Sequence, residues 1–203
     1  MELSLVITPE VLAKGISYEY YRQLIDEKLS QGQTTGNNHS EAMLEYTKMN
    51  VQRMNRWDKT MKVSSELQQK AEALTQKLYW VVLTEAWCGD AAQSIPFLAK
   101  VASLSPMIEF KLLLRDENLS VMDAYPTNGA RSIPKLIAFN EDLSEELFQW
   151  GPRPAELQDM VMAYKEDPKS VSQEEFVQGV HLWYAKNKNR NLDAELLALL
   201  SAS

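Results

Sequence analysis

Cysteine is almost absent from this chain: a single residue, Cys88, stands in a sequence of 203. An intramolecular disulfide is excluded, and with His39 and His181 the only 2 histidines, no cluster has zinc-ligand spacing. The sequence therefore calls for no metal and no cofactor. Positive charge is also short, because 21 Lys and Arg face 28 Asp and Glu for a net charge of −7. No arginine-rich arm or aromatic-basic ladder offsets this locally, so nucleic acid is disfavoured as a partner. Long apolar runs are missing too. None reaches the roughly 18 residues of a membrane span, and Met1-Glu2-Leu3-Ser4 lacks the basic and apolar regions of a signal peptide. A cytoplasmic location without a membrane partner is expected. What remains is globular: 45% apolar and 24% charged residues, in a length that fills one domain with some to spare.

The first part of the chain carries helical signals. Thr8-Pro9 and Gly15 bracket a short helix, and Tyr18, Tyr21, Leu24, Ile25 and Leu29 keep helical spacing up to Gly32. Gln31 to Ser40 is rich in Gly, Asn and Thr and reads as a mobile loop. Ser40 caps a third helix whose stripe of Met43, Thr47, Asn50, Met54, Trp57 and Met61 is read as core packing. Ser65 with Gln68 has the form of a capping box for a fourth. From Tyr79 the pattern changes to short apolar runs at 79–84, 108–114, 135–139 and 146–150, each a strand. A helix from Ala91 to Leu104, expected to kink at Pro96, and a short one near 118–124 separate the first three, while Asn140-Glu141-Asp142 closes a hairpin. The order is β-α-β-α-β-β. Pro154 opens a helix that ends before Pro168, Ser172 with Glu175 forms another capping box, and Leu192 to Leu200 forms a last apolar helix. The basic run Lys186 to Arg190 reads as a solvated turn. The expected organisation is an N-terminal helical extension over 1–78 packed on the core, an α/β domain over 79–167 and a helical tail over 168–203.

The chemistry concentrates in Glu85-Ala86-Trp87-Cys88-Gly89-Asp90-Ala91-Ala92. A strand ends here, and Gly89 permits a turn into a helix whose first amides point back at Cys88, where orphan amides and dipole stabilise a thiolate. With these residues the sequence resembles the thioredoxin superfamily. Trp87-Cys88-Gly89 matches the start of that family's Trp-Cys-Gly-Pro-Cys motif, and Gly129-Ala130-Arg131-Ser132-Ile133-Pro134 is similar to its Gly-Ile-Arg-Gly-Ile-Pro segment. The resemblance implies a thioredoxin-like α/β fold, a central mixed four-stranded sheet flanked by helices. It also implies a cis Pro134 facing Cys88, and an Ile133 backbone edge that pairs with an extended substrate or bound thiol. The whole chain is similar to a bacterial branch of thioredoxin-like proteins, through Arg115-Asp116-Glu117-Asn118, Thr127-Asn128-Gly129, Trp150-Gly151-Pro152-Arg153-Pro154 and the helical residues Asn50, Gln52, Arg53, Met54 and Arg56.

The departures from that family narrow the function. Ala91 stands where the resolving cysteine belongs, so a two-thiol cycle within the chain is excluded. Asp90 replaces the motif proline, and its carboxylate opposes a thiolate that the helix start would favour. Val82 stands where thioredoxin has a buried acid, and Glu85, at the strand end, is expected to be an exposed charge. Cys88 is the candidate catalytic residue, with Trp87, Asp90, Arg131, Ile133 and Pro134 as substrate-binding candidates. Arg131 would hold an anionic group of the ligand, or else pair with Asp90, Asp116 or Glu117. Arg153 is assigned to a strand-to-helix turn. The expected activity is monothiol redox chemistry, in which Cys88 attacks a disulfide, or is oxidised, to form a mixed disulfide with a protein or low-molecular-weight thiol/disulfide partner that an external thiol resolves. The alternative is a non-catalytic binding or scaffold module. Trp183, Leu196, Leu197, Leu199 and Leu200 would suit a homodimer, or pack back onto the domain.

Overall fold

The computed structural model describes residues 6–202, so the reading of Met1-Glu2-Leu3-Ser4 lies outside the described residues. Strand β1 (Leu78–Thr84) is central because both its faces are apolar: Trp80 and Val82 point to one side, Val81 and Leu83 to the other, and all four are fully buried. It pairs in parallel with β2 (Ile108–Leu114), with Leu78 opposite Ile108, and antiparallel with β3 (Lys135–Asn140), with Leu83 opposite Lys135. A hairpin adds β4 (Glu146–Trp150), giving a four-stranded mixed sheet of order β2-β1-β3-β4. The parallel pair needs a crossover, and α5 (Gly89–Ala102) supplies it, running through Pro96 as one helix.

The helices divide by which face of the sheet they cover. On the Trp80 side lie α2 (Tyr18–Ser30), α3 (Glu41–Thr60), α4 (Ser65–Glu72), α5 and α9 (Arg190–Ala202), contributing Ile25, Met54, Leu67, Leu98 and Leu196 to one core. On the Val81 side lie α1 (Pro9–Ala13) and α6 (Leu119–Ala124), with Leu12, Val121 and Met122. Beyond β4 come α7 (Ala155–Glu166) and α8 (Gln173–Asn187), the latter opened by the expected Ser172–Glu175 capping box. The segment before α2 also joins the sheet. Ile16 exchanges both backbone hydrogen bonds with Leu112 (2.9 and 2.8 Å), strapping the outer edge of β2. Among the described residues, no helix is long and apolar enough to cross a membrane.

The structure corrects one local expectation and sharpens two others. The cap of α4 is Ser64, not Ser65: its hydroxyl accepts the Leu67 amide at 3.2 Å, while its own amide and hydroxyl donate to Asp193 of α9 at 2.8 and 2.6 Å. The Gln31–Ser40 loop is largely exposed but is anchored at its middle, where Thr34 and Thr35 are buried and Thr34 Oγ1 meets Thr47 Oγ1 at 2.6 Å. Leu192, Leu196 and Leu200 are fully buried in the chain's own core, which takes Leu196 and Leu200 away from any dimer face.

The turn between β4 and α7 carries the tightest backbone contact at the sheet's end. Gly151 has φ +115°, and a Cβ there would lie 2.2 Å from the Pro134 carbonyl oxygen. Gly151→Ala should therefore lower unfolding free energy by about 3 kcal/mol or more. Gly32→Ala, at φ +68° with open space around it, should cost only about 1 kcal/mol. Urea denaturation of the two variants checks this; equal losses would mean that the contact with Pro134 costs nothing.

Candidate active site

The site begins where β1 ends. Glu85 and Ala86 continue buried past Thr84, and Cys88 takes the N-cap position of α5 in extended conformation, its amide bonded back to the Glu85 carbonyl at 3.1 Å. Residues far away in the helical extension hold this segment. The Ala86 amide donates to Thr35 Oγ1 at 2.8 Å, and the Ala86 carbonyl accepts from Asn50 Nδ2 at 2.9 Å. Asn50, like Thr47, is thus a polar member of a mostly apolar helical stripe with a specific task.

Cys88 is half-buried and its thiol donates to the Ile133 carbonyl at 3.2 Å. The Ile133–Pro134 bond is cis, so Cys88, Ile133 and Pro134 come together at the carboxyl end of the sheet. Burial pushes the thiol up to about 12, with the Asp90 carboxylate adding to the rise. The amides of Ala91 and Asp90 and the charge of Arg153 pull the other way and lose. The helix start favours a thiolate, as expected, but it is outweighed.

Asp90 is itself fully engaged. Its Oδ2 accepts from Arg153, with Nε at 3.0 Å and a second guanidinium nitrogen also bonded, and its Oδ1 accepts from the Tyr184 hydroxyl at 2.8 Å. Arg153 reaches further to Gln158 Oε1 at 2.8 Å. The site therefore includes Arg153, assigned from sequence to a turn, and Tyr184 of α8, for which the sequence around it carries no signal. Trp87 is half-buried beneath the Arg115 guanidinium, 4.8 Å from the ring centre, and Arg115 in turn donates to Asp116 at 2.9 Å. Arg131 is placed differently from the expectation. It is half-exposed and forms a two-pronged pair with Asp123, at 2.6 and 2.9 Å, rather than with an acid of the Cys88 site. A near neighbour in sequence claims its charge.

Glu85 corrects another expectation, because it is wholly buried. Its Oε1 accepts the Asp116 amide at 2.9 Å, whereas Oε2 is buried without a hydrogen-bond partner. The Gly36 turn lies over it: φ is +76°, and a Cβ there would come 3.4 Å from Oε2.

A thiol at the N-cap of the helix that follows a central parallel strand, facing the carbonyl before a cis-proline, defines a protein of thioredoxin fold. The sequence model of the family described as Thioredoxin matches residues 36–167, and the chain belongs to that family. The matched segment contains α3 and α4 as well as the sheet. No curated protein matches the sequence. Among solved structures, the chain is similar to PA1234 from Pseudomonas aeruginosa, a protein of unknown function, with 15% identity, TM-score 0.53 and coverage of 92% of this chain and 98% of that one. It is also similar to an HIV epitope-scaffold, with 13% identity, TM-score 0.53 and coverage of 93% and 99%. At these identities the likeness is one of fold.

The carboxyl of Glu85 is raised above its ordinary value of 4.5, chiefly by burial, while the nearby Thr35 hydroxyl and the Asp116 amide temper the rise. The folded protein thus holds this proton more tightly than the unfolded chain does. Stability falls as pH climbs from 4.5 through the raised value, and the loss persists above it. Glu85→Gln keeps an oxygen for the Asp116 amide and removes the charge. Its urea midpoint should exceed the parent's at about pH 8 and converge on it near pH 4. A difference independent of pH would remove the buried charge as its cause.

Proposed function

We propose that the protein is a thioredoxin-fold binding module whose gripping edge is Cys88 with Ile133 and Pro134, and in which Cys88 works as a protonated hydrogen-bond donor. The observation that carries this reading is the contact of the Cys88 thiol with the Ile133 carbonyl, beside a carboxylate and with Ala91 in place of a second thiol. An N–H or thiol of a partner would compete for the same carbonyl, which makes the edge a recognition surface for extended peptide or a small thiol compound. Trp87, stacked under Arg115, forms its flank.

A second reading is supported by the amides of Ala91 and Asp90 that favour the ionised sulfur, and by the partial exposure of Cys88. In it the Cys88 thiolate attacks a partner disulfide, forms a mixed disulfide and releases one partner thiolate. An external thiolate then attacks the mixed disulfide, takes up the bound half and restores Cys88.

Alkylation of Cys88 by iodoacetamide across pH separates the two. The binding-module reading expects an apparent pKa at or above the free-thiol value of about 8.5. Asp90→Asn should lower that value, without bringing it below the ordinary range, because burial is the larger cause. Fast labelling with a pKa below about 8.5 in the parent protein would transfer the conclusion to the monothiol cycle.

A further inference from the structure

A cavity of about 250 Å³ lies beside the Asp90 network, between α3, the first turn of α5, α7 and α8. One side of it is apolar, formed by Val161, Phe176 and Val180, with Phe176 held in place by stacking on Tyr164 at 3.8 Å. The other side carries Arg53. This guanidinium is half-buried, yet its partners are neutral: Nη1 donates to Asn50 Oδ1 at 2.8 Å, and Nη2 bonds His181 Nε2 at 2.9 Å. Since Arg has no acceptor, His181 Nε2 accepts this bond and the ring is neutral. No carboxylate among the described residues lies within ion-pair distance of Arg53.

The charges around the cavity do not cancel. Asp90, which lines it, has both oxygens committed to Arg153 and Tyr184. Asp90 balances Arg153, His181 is neutral, and the charge of Arg53 is left over. A half-buried cation without a counterion is costly, and an anion that displaced water from the cavity would relieve that cost. Three of the five guanidinium N–H groups remain after the bonds to Asn50 and His181, enough for a carboxylate to take two. Gly89 keeps this flank open, because a Cβ there would stand 3.3 Å from Arg53 Nη1.

We infer that this cavity is a binding site for a small monocarboxylate with a compact apolar body, its carboxylate on Arg53 and its body against Val161, Phe176 and Val180. The volume sets the size. It exceeds the roughly 150 Å³ that admits benzene and falls short of the 300 Å³ at which pockets for drug-sized ligands begin. A ring or a branched chain of a few carbons fits; a peptide does not. The site shares no ligand-contacting group with the Cys88–Ile133 edge and stands independently of the function proposed for it.

Isothermal titration of the full chain with sodium benzoate, against benzamide as its neutral counterpart at equal ionic strength, tests the assignment. A ligand of roughly nine heavy atoms, with an efficiency between that of drug-sized ligands and the ceiling for very small ones, should give a dissociation constant of about 1 mM or tighter. Benzamide should bind at least about tenfold more weakly, as should benzoate to Arg53→Met. Val180→Trp, which fills the apolar end and leaves the charge, should abolish binding and serves as the deciding variant if Arg53→Met does not fold. Cys88→Ser should bind benzoate as the parent does, whatever becomes of the Cys88 reading. No saturation by about 20 mM benzoate, equal affinity for the amide, or binding that survives Val180→Trp would overturn the inference.

Discussion

The amide and carbonyl of Ala86 are buried two residues ahead of the thiol, beyond the end of β1 and its strand partners. Thr35 and Asn50 satisfy them instead, one from the loop between α2 and α3 and the other from α3 itself. A buried backbone group left unpaired costs on the order of 1–3 kcal/mol, so the path of the chain from Thr84 to Cys88 is set by residues more than thirty positions upstream. Trp57 adds to the same attachment by donating to Gln93 at 2.6 Å on the second turn of α5. The helical extension is therefore part of how the Cys88 turn is built.

With that turn fixed, the electrostatics follow from what surrounds it. A helix N-terminus offers an anion two kinds of help, free amides and the dipole, and at α5 two anions compete for it: the Cys88 sulfur and the Asp90 carboxylate. Asp90 brings its own partners, Arg153 from the β4–α7 turn and Tyr184 from α8, which hold both of its oxygens. The sulfur, pushed toward its protonated form by burial and by that carboxylate, donates a hydrogen bond to the Ile133 carbonyl. In a thioredoxin frame the position of the thiol is retained, while its surroundings oppose ionisation more than they favour it.

Much of the frame was legible because its signals are local. The four apolar runs became the four strands, the hairpin fell at Asn140-Glu141-Asp142, and the Ser172–Glu175 box opened α8 as its spacing implied. What escaped is what depends on the far side of the fold. Ser64 and Ser65 are equivalent as caps until Asp193 of α9 selects the first. Thr34 and Thr35 look like loop residues until Thr47 and Ala86 present their partners. Glu85 reads as a surface charge until the Gly36 turn closes over it, and Arg131 reads as a groove residue until Asp123 takes its charge. The partners of Asp90 lie 63 and 94 positions away. No window of sequence contains both ends of such a pair.

The strap at Ile16 has a consequence for how copies of the protein meet. An outer strand normally shows the solvent a row of free amides and carbonyls, and two such rows can zip together. Here Leu112, facing outward on β2, has already given both groups to its own chain. The border of the sheet is interrupted toward its carboxyl end, so copies crowded together find no continuous hydrogen-bonding rail there along which to grow into stacked sheets.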